Sequence, residues 1–563
     1  MTPRIPKVKI IIVTGGVLSG LGKGVTAASL GRILQSRGLE VNILKFDPYL
    51  NVDAGTLNPG EHGEVFVTED GGEADLDLGH YERFLNKNLR RTSSVMAGQI
   101  LRAVLDRERR GEFLGRTVQI IPHVTDEIKA RIYTAARSSR CQIQIVEIGG
   151  TVGDYEGMHF LEAARQMLAD VGRENIAYVH VVFLPYLTAS QEVKTKPAQN
   201  SVRDLLNIGI QPDVLVARSD YPIHRSKVYK LAQFTNVRPE AIIALPTLSS
   251  MYEVPLLMRQ AKLDLLLLRH FGLRKYRGGR DRAWEQLVRR IRRTRRTIRI
   301  ALVGKYMDMR DTYMSLVEAI RAAAWAHSRQ ADIWWVDAEE IEKGRQRVEE
   351  LAQAAGVIVP GGFGKRGIEG KIFAIEYARQ HQIPFLGLCL GMQLAVVEFA
   401  RHVARLPHAH SEEFAEEEKA KTGKSRKYPR VIHLMHEQRR INQKGGTMRL
   451  GSWPCVLTRG TKTHAAYGCT RVQERHRHRY EFNNAWRTKL ERAGLVIAGT
   501  TPDRKLVEII ELKNHPWFVG VQFHPEFTSR PLAPHPLFMG FMKAALCRER
   551  ALKTKSGRKS ENR

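Results

Sequence analysis

Gly387-Leu388-Cys389-Leu390-Gly391 follows the apolar run Ile383–Gly387 and precedes a helical pattern. It is the cysteine counterpart of the GxSxG elbow, whose glycines permit a sharp strand-to-helix turn that exposes the nucleophile. A thiol near its ordinary pKa of ~8.5 needs a base or a positive neighbour to react at neutral pH. His524, in Phe523-His524-Pro525-Glu526-Phe527, is the candidate base. Glu526 lies two residues on, sharing a face with it in extended chain, and can hold the imidazole in the required tautomer. Buried cysteines are commonly inert, which is the expectation for Cys141, Cys455 and Cys469; the elbow sets Cys389 apart.

A second constellation lies near the N-terminus, where the strand-like Lys9–Val13 runs into Gly15-Gly16-Val17-Leu18-Ser19-Gly20-Leu21-Gly22-Lys23-Gly24-Val25-Thr26 and then a helical pattern. Glycines let backbone N–H groups turn toward phosphate oxygens, the helix adds its positive end, and Lys23 supplies a point charge. The strict GxxxxGK[ST] form is not met, because Gly24 stands where Ser or Thr would bind magnesium. A glycine-rich structural turn is the bland alternative, and the flanking strand and helix favour phosphate. Magnesium at such a site requires carboxylates. Glu147 ends the strand-like QIQIVEI, at the sheet edge where open α/β sheets bind ligands, and Asp75 in EDGGEADLDLG is the second candidate. Lys45 ends another strand-like run facing the same edge.

β-Branched apolar runs alternating with helical patterns predict βαβ units, hence an α/β fold with two doubly wound domains. The expected organisation is a first α/β domain over 1–272, a basic connector over 273–297, a second α/β domain over 298–547 and a basic, disordered tail over 548–563. EEFAEEEKAKTGKSRK is expected to be a loop. From Arg269 to Arg299 there are thirteen Lys/Arg against two acids, and from Arg548 to Arg563 seven against two.

The runs KFDPYLNVDAGTLNPGEHGEVFVTEDGGEADLDLGHYERF, VEIGGTVGDYEG and EVKTKPAQNSV resemble the CTP synthase family, and the Cys elbow with HxE resembles class I glutamine amidotransferases. The resemblance covers nearly the whole chain. It implies ATP-dependent amination of UTP to CTP through a 4-phosphorylated UTP, with ammonia released from L-glutamine. It assigns Gly20, Leu21, Gly22, Lys23, Gly24, Val25, Lys45 and Asp75 to ATP, and Asp75 with Glu147 to Mg2+. Ser19, Asp154, Tyr155, Glu156, Lys194, Thr195, Lys196, Pro197, Ala198, Gln199 and Lys230 match positions that bind UTP or the inhibitor CTP. Gly362, Leu390, Gly391, Met392, Gln393, Glu413 and Arg479 match the glutamine site, Gly362 and Leu390 as oxyanion N–H donors. Pro59, His62 and Val65 match the segment gating an ammonia tunnel, and Gly445–Gly451 a mobile lid. In ERHRHRYE, His476 and His478 could be metal ligands, but Arg479 near the substrate carboxylate is the favoured role. The resemblance also implies a homotetramer and activation by GTP, while the cysteine usage fits a reducing cytosol.

The 563 residues suggest several domain-sized units, and 43% hydrophobic with 26% charged residues excludes global disorder. A net charge of +30 attracts polyanions, so nonspecific polyanion contact through connector and tail is a further expectation. Five scattered cysteines without a CxxC pair argue against a disulfide framework or zinc knuckle. No apolar stretch approaches a signal peptide core or membrane span. Two rivals stand beside the main reading. One is another P-loop amidotransferase with a different acceptor, of the cobyric acid synthase type. The other is a nucleic-acid-binding or scaffolding protein that kept the fold without activity.

Overall fold

In a computed structural model, residues 8–273, 275–276, 278–305, 309–414, 428–435 and 448–561 are described, with side chains through residue 554. The chain divides into two compact units, one of Met1–Ala54 and Asp77–Val288, the other of Gly55–Leu76 and Arg289–Arg563.

The first unit is built on a seven-stranded sheet in the order Ile242–Pro246, Val214–Ser219, Ile176–Phe183, Lys9–Gly15, Ile143–Ile148, Val41–Asp47 and Ser94–Met96. Every pairing is parallel. Its central strands are almost wholly buried, which is why they read as runs rich in β-branched residues. The parallel register sends all C-terminal strand ends to one edge, setting Lys45 beside Glu147 and Glu147 beside Val13.

The second unit carries a nine-stranded sheet. Five parallel strands, Gln330–Asp337, Thr297–Gly304, Gly356–Val359, Phe385–Leu388 and Phe518–Val521, are extended by antiparallel Val507–Leu512, Leu495–Thr500, Arg449–Leu457 and Arg471–His478. Alternate residues feed two cores, Ala301 and Val303 on one face, Ile300 and Leu302 on the other. The helices Ile368–Gln380 and Leu390–His402 fill the first core, and Met314–Ala326 with Pro536–Glu561 fill the second. The fold is therefore α/β and doubly wound as expected, with a mixed second sheet.

One assignment departs from the expected division. Residues 55–76, placed by sequence in the first domain, belong to the second unit. Their hairpin of Val65–Val67 and Glu73–Asp75 is held there by Phe66 packing on Phe527, by Arg475 donating to the Val67 carbonyl (3.0 Å), and by Arg477 paired with Glu73 (2.8 Å). Much of the connector is a helix, Arg282–Arg293. The helix from Pro536 continues to Glu561, and Arg548 donates to the carbonyls of Ala352, Ala354 and His381. The loop expected around 415–427 lies outside the described residues. Of the expected lid, 445–447 also lies outside them, whereas Arg449–Gly451 begins a nine-residue strand.

Candidate functional sites

In the first unit, Gly20 (φ 71°) and Gly22 (φ 93°) take left-handed conformations that glycine adopts at little cost, and Lys23 opens the helix Lys23–Gln35. Lys23 Nζ donates to the Gly150 carbonyl (2.8 Å). Lys45 Nζ pairs with Asp77 and lies 3.7 Å from Glu147 and 3.6 Å from Asp47. Tyr81 donates its hydroxyl proton to Glu147. Burial pushes the Glu147 carboxyl up, with Lys45 opposing; burial likewise opposes ionisation of Asp77, but Lys45 holds that carboxyl below its usual range.

A carboxylate brought against Lys45 beside Glu147 is Asp77, which opens the helix Asp77–Leu85. Asp75, the residue expected for metal, ends the second unit's hairpin opposite Val65. Both acids lie in one Asp-Leu-Asp run, so residue type alone could not separate them. The departure at Gly24 has a structural reason, because a Cβ there would lie 2.1 Å from Asp77 Oδ1. The space of a Ser or Thr side chain is occupied by a carboxylate. Two oxygen-donating acids beside two lysines form a hard donor set that fits Mg2+ with a polyphosphate.

KTKP, which reads as a surface loop from residue type alone, is a helix start: Thr195 is the N-cap of Lys196–Asn207 and Pro197 stands in its first turn. Thr195, Ala198 and Gln199 are buried, Lys194 pairs with Glu192, and Ser19, Lys196, Lys230 and Asp154–Glu156 are exposed. Among the described residues no hydrogen bond or ion pair joins Asp154–Glu156 to Lys194–Gln199.

In the second unit, Cys389 caps the helix Leu390–His402 with φ 51° and ψ −102°, a conformation rare for a residue with a side chain. Gly391 permits it, since a Cβ there would meet the Val359 carbonyl oxygen at 2.1 Å. His524 Nδ1 lies 2.7 Å from Glu526 Oε1, and its ring edge flanks Gly361, as does Cys389 Cβ. Burial disfavours a charge on His524, but Glu526 and Cys389 outweigh it and raise its pKa to about 10. Cys389, Gly361, Gly362, Phe363, His524, Pro59, Glu64 and Val65 line a cavity of about 70 Å3, so two of the expected tunnel residues reach it. His62 is exposed and does not line it.

Leu390, Gly391, Met392 and Gln393 form the buried first turn after the nucleophile, and Gln393 donates to the Tyr480 carbonyl (2.9 Å). Glu413 accepts from Gly364 N–H (3.0 Å), tying it to the Gly361–Gly364 loop. Arg479 is half-buried. His476 and His478 are paired at 3.0 Å beneath the strand, and burial pushes both well below the ordinary imidazole range. Arg449 is bound to Glu508 beside them (2.7 Å).

Two lysines not expected from sequence also hold the Pro360–Gly364 loop. Lys305 donates to the carbonyls of Phe363 and Gly364, and fully buried Lys371 donates to that of Pro360 (3.4 Å). Ile368, Lys371, Ile372 and Ile375 share a buried helical face, and that spacing was the available signal for Lys371.

Residues 9–273 match the family model for the CTP synthase N-terminus, and residues 308–544 that for class-I glutamine amidotransferases. The CTP synthase of Herpetosiphon aurantiacus is 54% identical over 538 residues, covering 96% of this chain and 99% of that one. That of Moorella thermoacetica is 54% identical over 540 residues, covering 96% and 98%. That of Geobacillus kaustophilus is 52% identical over 539 residues, covering 96% and 99%. With a nucleophile elbow in one unit, a cluster of lysines and carboxylates in the other and likeness along nearly its whole length, this chain belongs to the CTP synthase family of glutamine-hydrolysing ligases.

Proposed function

We propose that the protein aminates UTP to CTP in two chemistries. Cys389 Sγ attacks the side-chain amide carbon of glutamine, and protonated His524, oriented by Glu526, gives its proton to the departing nitrogen, so ammonia leaves. Water, deprotonated by His524, then hydrolyses the thioester to glutamate. Negative charge develops on the carbonyl oxygen at both steps, and the N–H groups of Gly362 and Leu390 receive it. Gln393, Glu413 and Arg479 orient the amino acid. The observation that carries this half is the pairing of a positive-φ cysteine with a carboxylate-held histidine on one small cavity.

In the first unit, Gly20–Val25 and Lys45 hold the ATP phosphates and the 194–199 helix start, with Ser19, Asp154–Glu156 and Lys230, holds UTP or the inhibitor CTP. A helix N-terminus suits phosphate. The uracil O4 takes the γ-phosphoryl group of ATP, ADP leaves, and ammonia displaces phosphate at C4. Asp77 and Glu147 would hold Mg2+, which offsets the triphosphate charge when bound. Pro59 and Val65 border the route by which ammonia leaves the glutaminase cavity.

GTP activation, CTP inhibition and a homotetramer complete the reading. Tyr155 (92% exposed) and Leu114 (90%) are apolar surface that subunit contact would cover. A cytoplasmic location accords with five free cysteines. Among the described residues no helix is long and apolar enough to cross a membrane. CTP formation from UTP and ATP, with glutamine and then ammonium as nitrogen source, tests the whole. Product from neither source overturns it, and product from ammonium alone confines the failure to the second unit.

A further inference from the structure

Beneath the phosphate loop runs a buried chain of three polar side chains that the chemistry above does not use. Thr14, next to last in the central strand, hydrogen-bonds His180 Nδ1 (2.8 Å), and His180 Nε2 hydrogen-bonds Ser201 Oγ (2.9 Å). Thr14 and His180 are direct partners in the parallel register, so the sheet fixes the first contact. Ser201 lies in the helix Lys196–Asn207, whose start carries the KTKP segment. Its hydroxyl also sits directly under the loop, since a Cβ on Gly16 would fall 1.6 Å from Ser201 Oγ. Gly16 in turn donates its N–H to the Val181 carbonyl (3.0 Å), on the strand that holds His180.

A buried imidazole with both nitrogens satisfied is a rigid spacer, because losing either partner leaves a desolvated polar atom. Burial, with Lys23 adding to it, pushes His180 down to about 3, so the ring is neutral at any working pH and neither contact is lost by protonation.

We propose that His180 is a positioning residue that sets the distance between the loop holding one nucleotide triphosphate and the helix start holding the other. This rests on the assignment of ATP to the loop and UTP to the 194–199 segment. A change at either end of the chain then alters binding at the opposite end. Ser201→Ala, on the UTP helix, weakens ATP binding, and Thr14→Val, below the ATP loop, weakens UTP binding. His180→Phe, similar in volume but without ring nitrogens, weakens both.

Titration calorimetry with ATP and with UTP, each in the presence of Mg2+, tests this on the full-length protein and the three variants. The expected result is a loss of about fivefold or more in each cross-effect, with glutamine hydrolysis unchanged. The double variant His180→Phe/Ser201→Ala is expected to be no weaker than His180→Phe alone. Cross-effects below twofold in variants that melt like the parent, or melt lower while binding normally, overturn the inference and leave His180 a packing residue. If His180→Phe does not fold, the Ser201→Ala and Thr14→Val arms decide. The parent protein also reports separately: failure to bind either nucleotide overturns the underlying site assignment, whereas normal binding with absent cross-effects overturns only the role of His180.

Discussion

His524 Nδ1 lies 2.7 Å from Glu526 Oε1, two residues along the chain, and both side chains are buried. The pair works as a unit because the raised His524 pKa requires the carboxylate. Since the folded value of about 10 exceeds the 6.5 of an ordinary imidazole, this proton's contribution to stability is complete below about pH 6.5 and is lost as pH rises through about 10. Glu526→Gln is expected to move the alkaline limb of glutamine hydrolysis to lower pH and to cut kcat by about 10- to 100-fold, less than His524→Ala. A pH-rate profile with an unmoved alkaline limb refutes the assignment.

Cys389→Ala is expected to abolish glutamine-dependent CTP formation and to spare ammonium-dependent synthesis. Loss of both in a variant with the parent's melting curve would mean that the two chemistries are not separable.

Asp77→Asn and Glu147→Gln are expected to abolish synthesis with either nitrogen source, while glutamine hydrolysis persists. Asp75→Asn is the control and is expected to leave the magnesium dependence of synthesis unchanged. Gly24→Ser, which would set a side chain against Asp77, is expected to weaken ATP binding by at least tenfold. Magnesium titrations of the four variants separate Asp77 from Asp75.

Lys371 is buried, and burial holds its pKa well below the usual lysine range. Because the folded state then binds that proton less tightly than the unfolded one, its burden on stability is greatest at low pH and fades as pH rises. Lys371→Met, of similar length, is expected to stabilise the protein by about 1 kcal/mol or more. The gain in Tm is expected to be larger at pH 6 than at pH 9, and a uniform or absent gain counts against this account.

Deleting Arg548–Arg563 removes the hydrogen bonds from Arg548 to the carbonyls of Ala352, Ala354 and His381 and is expected to lower Tm by several degrees. Truncation after Thr554 keeps them and is expected to melt like the parent. Equal melting of the two truncations would return the segment to the status of a dispensable basic tail.

Local motifs were readable because chemistry there constrains neighbours in sequence. The Cys389 elbow needs glycines within two residues, and His524 needs Glu526 at i+2. Asp77 was not readable because its pairing with Lys45 joins residues 32 apart in the chain, on a strand and a helix start that only the fold brings together. The KTKP helix was hidden for a related reason, as a Pro-containing polar stretch suits either a surface loop or a first helical turn. Lysine is a type rarely buried, and only the place of Lys371 in the Ile368, Ile372, Ile375 pattern sets it facing inward.

The early hairpin has a consequence for the order in which the chain is made. Val67 accepts its hydrogen bond from Arg475, 408 residues later. At ~5–20 residues per second, the ribosome takes about 20–80 s to supply that partner. A lone two-stranded hairpin is marginal in water, so Phe66 must wait through this interval without its final cover. The second unit, built mostly from the end of the chain, closes on a piece synthesised near its beginning, and nascent chains stalled before Arg475 should leave Val65–Val67 open to proteases.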